Sequence, residues 1–396
     1  MGKEYCLFED SYNNICSPET CEDYNTCSRK GKEEFKIKRK EDLELMARPK
    51  HTDGDLKLMQ SFSLETKIQM TKQRIRDWYE AYDGLVYVSF SGGKDSTVLK
   101  HIVDSMYSDV PSVFVNTGLE YPEIQKFATS QKNVITLRPS MRFDEVIKKY
   151  GYPVISKAVS KRVEEYRNAE KKGKLEESCA YKEFNGMAQD QHGNISIYNK
   201  GKYKFLTNAD FKISHKCCDQ MKKKPFKRYE KETHRKPIIA TLASESLDRR
   251  KAWKQNGCNA FNAESPKSTP LAFWTEQDIL HYLKIYNVPY CSVYGDIRVK
   301  QGSELDGQIN IVDYLGDYKA DQDILETTGC NRTGCIFCMY GCHLEKSPNR
   351  FERLKETHPK QYNYCINGGE YVDGVLQPSK EGLGLGKVLD YIGVKY

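Results

Sequence analysis

The feature that most constrains the fold is a glycine-containing loop between an apolar run and a helical pattern. Leu85–Phe90 is rich in residues that favour β-strands, residues 91–96 read Ser-Gly-Gly-Lys-Asp-Ser, and Thr97–Tyr107 has helical periodicity. Gly92 and Gly93 can adopt backbone angles closed to other residues, so successive N–H groups can point into one cavity. The following helix adds the positive end of its dipole. The loop therefore predicts an anion site at the start of a helix.

The side chains of this loop suit a polyphosphate that binds with a divalent cation. Ser91 and Ser96 can donate hydroxyl hydrogen bonds, and Lys94 supplies a point charge. The Asp95 carboxylate is unsuited to direct phosphate contact, but it can cap the helix or hold a Mg²⁺ ion that bridges phosphates. A Gly-Gly turn beside a solvated lysine is the simpler interpretation, and the strand–loop–helix context argues against it. We expect Lys94 and Asp95 to be catalytic.

Further strand and helix patterns alternate along the chain. Strands are expected at Ser112–Asn116, Asn133–Leu137 and Pro237–Ala243, and a helix at Tyr121–Gln131. An earlier helix is predicted to begin with Ser63 as its N-cap. Strands that alternate with helices indicate an α/β fold with a doubly wound parallel sheet and helices on both faces.

Changes in composition and in strand and helix pattern divide the chain into three parts. Residues 1–60 are expected to form a Cys-rich appendage and linker, and residues 61–290 a nucleotide-binding domain. A basic insertion at 171–236 interrupts that domain. Residues 291–396 are expected to form a loop-rich, Cys-rich region that binds a cluster.

Three motifs resemble those of a known superfamily. The loop at 91–96 resembles the pyrophosphate loop (PP-loop) of ATP pyrophosphatases, which cleave ATP between the α and β phosphates. Val115–Glu123 resembles a segment of phosphoadenosine phosphosulfate (PAPS) reductases, and Glu245-Ser-Leu-Asp-Arg249 resembles their Glu-Ser-x-x-Arg element. By these motifs the chain is identified as a member of the PAPS reductase-like superfamily.

The resemblance implies a Rossmann-like sheet of the adenine-nucleotide α-hydrolase type, with the nucleotide over the carboxyl ends of the strands. It also implies that ATP and Mg²⁺ are the ligands of the loop. Beyond the loop itself, the residues that it implies for nucleotide binding are Asn116, Thr117, Glu120, Glu245, Ser246 and Arg249.

Two departures from the superfamily pattern bear on the activity. Sulfonucleotide reductases need a nucleophilic cysteine in a C-terminal Glu-Cys-Gly-Leu/Ile-His tail, whereas Gly382–Tyr396 contains no cysteine and the flanks of Cys365 do not match. Relatives often carry Gly-x-Arg before Glu-Ser, and this chain has Ala-Thr-Leu at 240–242. The function of that arginine then falls to Arg249, Arg250 or a residue elsewhere. A true reductase is therefore the second interpretation.

Most of the fourteen cysteines occur in groups, which indicates metal or iron–sulfur ligands rather than disulfides. Cys217-Cys218 and Cys335-x-x-Cys338 resemble the set that holds a four-iron four-sulfur (4Fe-4S) cluster in adenylylsulfate reductases. The alternative is a local four-thiolate zinc site, made by Cys330, Cys335, Cys338 and Cys342.

The remaining cysteines keep several interpretations. If the cluster forms, Cys330 or Cys342 is left as a sulfur carrier, a nucleophile or a small buried apolar residue. Near the start of the chain we expect a Zn²⁺ site, because that segment has too few apolar side chains to fold unaided. Another iron–sulfur site or a disordered tail are the alternatives there. The zinc ligands would be Cys6, Cys16, Cys21 and Cys27.

Basic charge is concentrated in one segment. The net charge is +7, and Lys200–Lys236 contains thirteen Lys or Arg against four Asp or Glu, interleaved with aromatic residues. Because basic side chains neutralise phosphates and aromatics stack on unpaired bases, a nucleic acid is the expected partner, with a solvated face as the simpler explanation. No apolar run approaches the ~18–20 residues that cross a bilayer, and Met1–Asp10 is charged. We expect a cytoplasmic protein without membrane contact.

Together these features predict an ATP-dependent, adenylating sulfurtransferase with an iron–sulfur cluster that acts on a nucleic acid. Sulfur would come from a donor such as a cysteine desulfurase. The first alternative is an oxidoreductase, a reductase of adenylylsulfate or PAPS. The second is a non-catalytic nucleic-acid-binding module that metal ions hold together.

Overall fold

The structure, a computed structural model, describes residues 50–300 and 323–396. The expected zinc ligands Cys6, Cys16, Cys21 and Cys27 lie outside the described residues. Within those two ranges, no helix has the length and apolar character needed to cross a membrane.

The described helices are α1 (Asp53–Ser61), α2 (Leu64–Ala81), α3 (Lys94–Met106), α4 (Pro122–Ser130), α5 (Phe143–Tyr150), α6 (Lys157–Lys171), α7 (Cys179–Phe184), α8 (Lys224–Thr233), α9 (Leu247–Asn256), α10 (Glu276–Ile285), α11 (Arg350–Thr357), α12 (Pro359–Ile366) and α13 (Leu385–Tyr391). The strands are β1 (Val86–Phe90), β2 (Ser112–Val115), β3 (Val134–Leu137), β4 (Val154–Ile155), β5 (Lys236–Ile239), β6 (Asn259–Ala260), β7 (Lys267–Ser268), β8 (Ile297–Val299), β9 (Leu325–Thr327), β10 (Met339–Tyr340), β11 (Glu370–Val372) and β12 (Val375–Gln377).

Six strands form the main sheet in the order β3-β2-β1-β5-β7-β6. In β1, Val88 pairs in parallel with Ser112 of β2 on one side and with Ile238 of β5 on the other. Only β6 runs antiparallel, beside β7. The predicted α/β fold with a mostly parallel sheet is confirmed. Because the chain leaves β1 towards β2 and later returns to its other side at β5, the strand order reverses at β1, where such sheets bind ligands.

Local patterns predicted the helices that flank this sheet. Ser63 is the N-cap of α2, and its hydroxyl accepts a hydrogen bond from Thr66 N at 3.2 Å. Ile75 and Trp78 are fully buried on the inner face of that helix. Helix α1 lies within the segment expected to be a linker, yet it is capped by Thr52 and buries Leu56 in the core.

The buried apolar side chains form two large cores. One surrounds the main sheet and draws on residues 56–110 and 238–288. The other joins residues 119–221 to residues 336–394, and it includes Cys217, Cys342 and Cys365. The short strand β10 pairs in parallel with β4 at this junction. The C-terminal region therefore packs on the middle of the chain, and the domain boundaries expected from the sequence stay predictions.

Gly151, directly after α5, is a close approach that a larger side chain would disrupt. Its φ is +116°, and an added Cβ would lie 2.4 Å from the carbonyl carbon of Lys212. Gly173 also has a positive φ, +67°, but an added Cβ would meet no heavy atom within 4 Å. We expect Gly151→Ala to lower the free energy of unfolding by roughly 3 kcal/mol or more and Gly173→Ala by about 1 kcal/mol. Urea unfolding of both variants measures this, and equal losses would contradict the crowding at Gly151.

Candidate functional site

A cavity of about 400 Å³ lies at the carboxyl ends of β1 and β5. Because these parallel strands are neighbours, the segments that follow them meet at one edge of the sheet. Those segments line the cavity with Ser91, Gly93, Lys94, Asp95, Ser96, Leu242, Ser244, Glu245 and Arg249. The predicted phosphate loop and the predicted Glu-Ser element thus share one cavity.

Gly92 and Gly93 give the loop its shape. Gly92 has a φ of +72°, and an added Cβ would lie 3.0 Å from Ile124 Cγ2, so any larger residue is both strained and crowded. Helix α3 begins after Gly93, which as N-cap has no side chain to cap the helix, and the Lys94 N–H is taken by the Tyr294 hydroxyl. The positive end of the helix dipole is therefore available to an anion in the cavity.

The two loop serines hold the loop in this conformation. Ser91 N donates to Ser96 Oγ at 3.2 Å, and Ser96 Oγ donates to Gly93 O at 2.9 Å. Gly93 N in turn donates to Ser91 Oγ at 3.3 Å. The loop is shaped by its own hydrogen bonds, with no need for a ligand to order it.

Lys94 is buried at the wall of the cavity and is neutralised by protein groups. Its ammonium group forms an ion pair with Glu276, at the start of α10, and donates to Asn331 O at 2.6 Å. It also lies 5.7 Å from the centroid of the Tyr294 ring. These contacts use two of its three N–H donors, so a phosphate at Lys94 would share the ammonium group with Glu276 or displace it.

Asp95 carries an unsatisfied carboxylate oxygen. Within the described part of the chain, Asp95 Oδ1 is buried and has no hydrogen-bond partner. Burial raises the pKa of Asp95, and the positive charges of Lys94 and Arg332 oppose that shift. A buried carboxylate oxygen without a donor is costly until a proton or a cation satisfies it. Because carboxylate oxygens are suitable ligands of Mg²⁺, Asp95 fits the cation that accompanies ATP.

An arginine from far along the chain completes the cavity. Arg332 and Arg249 both form ion pairs with Glu245. Sequence reasoning left the missing Gly-x-Arg function to Arg249, Arg250 or a residue elsewhere. The structure places Arg249 and Arg332 at the cavity, so two guanidinium groups face the site expected for the phosphates.

Three more lining residues escaped the sequence analysis: Glu276, Tyr294 and Thr333. Tyr294 Oη accepts a hydrogen bond from Lys94 N at 3.2 Å and lies 2.6 Å from Thr333 Oγ1. The contact between Lys94 and Tyr294 spans 200 residues of sequence, so no local pattern announces it. The only local signal was the polar run at 331–333, between two glycines.

Other residues expected at the nucleotide lie elsewhere. Asn116 and Thr117 line a second cavity, of about 390 Å³, at the end of β2. Thr117 N and Oγ1 donate to Glu120 at 3.0 and 2.7 Å, which folds that loop on itself. Ser246 caps α9, where its hydroxyl accepts from Arg249 N at 3.2 Å. Nucleotide binding by Asn116, Thr117, Glu120 and Ser246 stays a prediction.

Four cysteines come together at the edge of the second core. Cys217 and Cys218 directly precede a π-helix at Asp219–Lys223, and Cys335 and Cys338 precede β10. Burial raises the pKa of Cys217, and negative charge on the other three thiolates raises it further. Because such effects act over short distances, the predicted iron–sulfur ligands share one neighbourhood. We call Cys217, Cys218, Cys335 and Cys338 the thiol group.

The structure brings the thiol group together without placing its sulfurs around one point. Among residues 50–300 and 323–396, no three His, Cys, Asp or Glu side chains are placed to hold one ion. The iron–sulfur set and the local zinc site of residues 330–342 both stay predictions. An iron–sulfur cube is larger than one ion, and its thiolates stand further apart. The donor chemistry of the thiol group fits such a cluster.

A cation accompanies the thiol group. Lys222 donates a hydrogen bond to the Cys335 sulfur. Burial acts to lower the pKa of Lys222, but the negative charges of Cys335 and Glu120 outweigh burial and raise this pKa overall. Burial raises the pKa of Cys335 to about 11, and Lys222 opposes that rise. A fixed ammonium group beside the sulfur favours thiolate and suits an anionic cluster.

The two expected sulfur carriers differ in access. Cys342 is buried, its thiol donates to Met339 O at 3.1 Å, and burial raises its pKa to about 11. These properties are those of a small apolar core residue. Cys330 is half-buried, receives a hydrogen bond from the Tyr121 hydroxyl, and directly precedes Asn331 of the first cavity. Of the two, Cys330 is the better placed for sulfur transfer.

The phosphoadenosine phosphosulfate reductase domain matches residues 85–340, more than half of the chain. The chain belongs to this family. The membership that its motifs indicated is thereby confirmed. In this member of the PAPS reductase family, the matched region begins beside β1 and ends with β10, so it includes both the first cavity and the thiol group.

Individual relatives are distant. An uncharacterized protein of Methanocaldococcus jannaschii is 31% identical over 86 residues, 20% of this chain and 21% of that protein. The chain thus matches about a fifth of the length of this curated relative. A solved PAPS reductase from Candida auris has 15% identity and a TM-score of 0.31, with 56% of this chain and 82% of that chain covered.

Two further solved structures have similarly low sequence identity and TM-score to this chain. Candida glabrata FMN adenylyltransferase in complex with ATP has 12% identity and a TM-score of 0.31, with 61% of each chain covered. A U34-tRNA thiolase from Methanococcus maripaludis with its 4Fe-4S cluster has 12% identity and a TM-score of 0.26, with 85% of this chain and 91% of that chain covered. At these TM-scores the likeness indicates neither a ligand nor a reaction.

Removing one thiol at a time separates a cluster from a local zinc site. Cys217→Ser should abolish bound iron and sulfide in anaerobically prepared protein, because it removes a cluster ligand. Cys342→Ser should retain both, since serine can donate to the same Met339 carbonyl. Iron, sulfide and zinc analysis of both variants measures this. Loss of metal from Cys342→Ser with retention in Cys217→Ser would contradict the assignment.

Arg332 is expected to contribute to nucleotide affinity. Arg332→Ala should weaken binding of a nonhydrolysable ATP analogue about tenfold, because a charge-assisted hydrogen bond contributes roughly 1.5–3 kcal/mol. Arg298→Ala is the matched control, since Arg298 also pairs with a glutamate, at 3.0 Å from Glu326, and is exposed away from the cavity. Calorimetric titration measures both. Equal affinities of the two variants would remove Arg332 from the site.

Proposed function

We propose that the protein is an ATP-dependent sulfur-transfer enzyme, which adenylates an oxygen of its acceptor and then replaces that oxygen with sulfur. The observation that carries this proposal is the position of Asp95. Its unsatisfied oxygen lies beside an uncapped helix start, in a cavity that one short segment joins to the thiol group. That combination supports ATP cleavage and sulfur chemistry in one protein.

The first cavity supports cleavage of ATP between the α and β phosphates. The acceptor oxygen would attack the α phosphorus, the bond to the bridging oxygen would break, and pyrophosphate would leave. The N–H groups at the start of α3 and the Lys94 ammonium group are fixed dipoles and charge that suit the departing anion. Asp95 would hold the Mg²⁺ ion that bridges the phosphates.

The second step needs no net oxidation or reduction when hydrosulfide is the sulfur source. The sulfur would add to the adenylated acceptor carbon, and AMP would leave with the original oxygen. Cys217, Cys218, Cys335 and Cys338 would hold a 4Fe-4S cluster, which would supply Lewis-acidic iron to the incoming sulfur only where one of the four thiolates gives up its iron. Lys222 would keep the cluster charge balanced.

The two centres are close along the chain. Arg332 lines the first cavity, and Cys335 follows it by three residues, which span at most about 10 Å when extended. Ile336 N donates to Leu119 O at 2.8 Å, which anchors this segment on the loop after β2. An adenylated acceptor could therefore reach sulfur without leaving the protein.

A sulfonucleotide reductase is the second candidate, and the family match favours it. Against it stands the C-terminal tail. Leu385, Val388 and Leu389 of α13 are fully buried in the second core, and residues 382–396 contain no cysteine. These residues therefore supply no nucleophilic thiol to a bound sulfonucleotide.

The proposed acceptor is inferred from the concentration of basic charge in one segment of the chain. The basic segment Lys200–Lys236 supports a nucleic-acid acceptor, and a cysteine desulfurase is the proposed source of sulfur. The outer sulfur of its persulfide would be released as hydrosulfide by two electrons from a dithiol reductant, which is oxidised to a disulfide. A purely structural nucleic-acid-binding role would require that the first cavity be dispensable.

Pyrophosphate release tests the proposed reaction. Anaerobic protein with bulk RNA or DNA, sulfide and ATP should form AMP and pyrophosphate, because adenylation is the first step. Asp95→Asn should lower the rate about 100-fold or more, since it removes the Mg²⁺ ligand. Asp109→Asn, exposed in the turn that follows the same helix, should retain the wild-type rate.

The same preparation separates the candidates. Sulfite formed from adenylylsulfate in the presence of a dithiol reductant, without pyrophosphate from ATP, would establish the reductase and overturn the transferase. An Asp95→Asn variant that keeps full biological function would leave only the structural role.

A further inference from the structure

The solvent side of α8 carries a continuous row of basic residues. They recur at helical spacing and are exposed, whereas Pro225 and Tyr229 on the opposite face are buried. The row consists of three lysines and one arginine. Within the described residues, the lysines Lys224, Lys227 and Lys231 have no ion-pair partner, and Arg228 lies between Lys227 and Lys231 in the sequence. We call Lys224, Lys227, Arg228 and Lys231 the basic stripe.

The basic stripe leads to the second cavity. Arg228 Nη2 donates to Arg138 O at 3.3 Å, and Arg138 lines the second cavity. The Arg138 guanidinium group is exposed and has no ion-pair partner among the described residues. Unpaired positive charge therefore continues from the helix to the mouth of the cavity.

The second cavity combines aromatic rings with amides. Phe337 and Tyr364 line it with ring centroids 6.2 Å apart, and Asn116 and Gln125 supply side-chain amides. The side-chain oxygen Oδ1 of Asn116 accepts a hydrogen bond from Gly118 N at 3.1 Å. The N–H groups of the same side-chain amide are left for a ligand. Aromatic faces stack on bases, and amides hydrogen-bond to base edges.

The position of this cavity links it to both reactive centres. Asn116 directly follows β2, the parallel neighbour of β1, and neighbouring strands lie about 5 Å apart, so the Asn116 loop is adjacent to the phosphate loop. Phe337 stands between Cys335 and Cys338 of the thiol group in sequence. A ring bound against Phe337 would therefore lie beside the segment that carries two of the four thiols.

We propose that a nucleic-acid strand lies along the basic stripe and that the second cavity takes one of its unpaired bases. This inference rests on the proposed function for its chemistry, because the bound base would be the acceptor. The cavity, about 390 Å³, falls within the roughly 300–1,000 Å³ of small-ligand sites. An acidic peptide would satisfy the stripe but would make no use of the paired rings and amides.

Salt dependence tests the basic stripe. A labelled single-stranded RNA and its DNA counterpart are titrated without ATP, between about 50 and 200 mM salt. The triple variant Lys224→Ala/Lys227→Ala/Lys231→Ala should bind about tenfold more weakly at the lower salt, with a salt slope smaller by about 2. The control triple variant Lys57→Ala/Lys267→Ala/Lys284→Ala removes three exposed lysines elsewhere and should match the wild type.

Ring substitution tests the second cavity. Tyr364→Ala should weaken oligonucleotide binding roughly tenfold without changing the salt slope, because base stacking releases no counterions. Tyr364→Phe keeps the ring and should bind nearly as the wild type. The RNA and DNA arms show which strand the site prefers.

Several results would overturn the inference. One is an equal loss of affinity in the control triple variant. Another is oligonucleotide binding by Tyr364→Ala that equals the wild type. If polyglutamate also displaces the oligonucleotide from that variant as readily as from the wild type, the basic stripe would be assigned to an acidic polypeptide. A fall in ATP affinity of Tyr364→Ala would assign the cavity to adenine instead.

The failure of the proposed reaction is a separate outcome. Protein that binds the strand with these dependences but releases no pyrophosphate would refute the adenylating activity and leave the nucleic-acid site standing.

Discussion

The hydrogen bonding of β1 on both of its edges is the constraint on which the rest of the structure depends. Val88 pairs at once with Ser112 and Ile238, and the strand is almost wholly buried. A parallel strand held on both sides fixes the direction in which its following loop leaves the sheet. The phosphate loop, the Glu-Ser segment after β5 and the Asn116 loop after β2 therefore meet at one edge. Every proposed step takes place along that edge.

A second constraint comes from the segment that carries Arg332 and two of the grouped thiols. Cys330 N donates to Val293 O at 3.0 Å, Ile336 N donates to Leu119 O at 2.8 Å, and Met339 enters β10. These three attachments tie the C-terminal part of the chain to the main sheet. Within residues 330–338, Asn331, Arg332 and Thr333 line the first cavity, and Cys335 and Cys338 belong to the thiol group. A short, anchored backbone therefore joins the two centres.

Local patterns were enough to predict the loop at 91–96, the N-cap at Ser63 and strands β1, β2, β3 and β5, because each depends on neighbours in sequence. They did not predict the two-residue strands β6 and β7, and β5 ends at Ile239 rather than at Ala243. They could not predict Glu276 or Arg332 at the cavity, since those side chains arrive from more than 180 residues away. For the same reason the sequence did not separate Asn116 and Thr117 from the first cavity. The cysteine spacing left zinc and iron–sulfur both open, because ligand spacing alone does not identify the metal.

The pairing of Lys94 with Glu276 has a consequence for which anions the loop accepts. Lys94 is buried, but the Glu276 side chain is 54% exposed, so orthophosphate or sulfate at Lys94 would lie beside a solvated carboxylate that repels it. A nucleoside triphosphate would arrive with a divalent metal that offers Glu276 a new countercharge. For the proposed reaction, the ion pair would therefore favour a magnesium-loaded nucleotide over simple oxyanions.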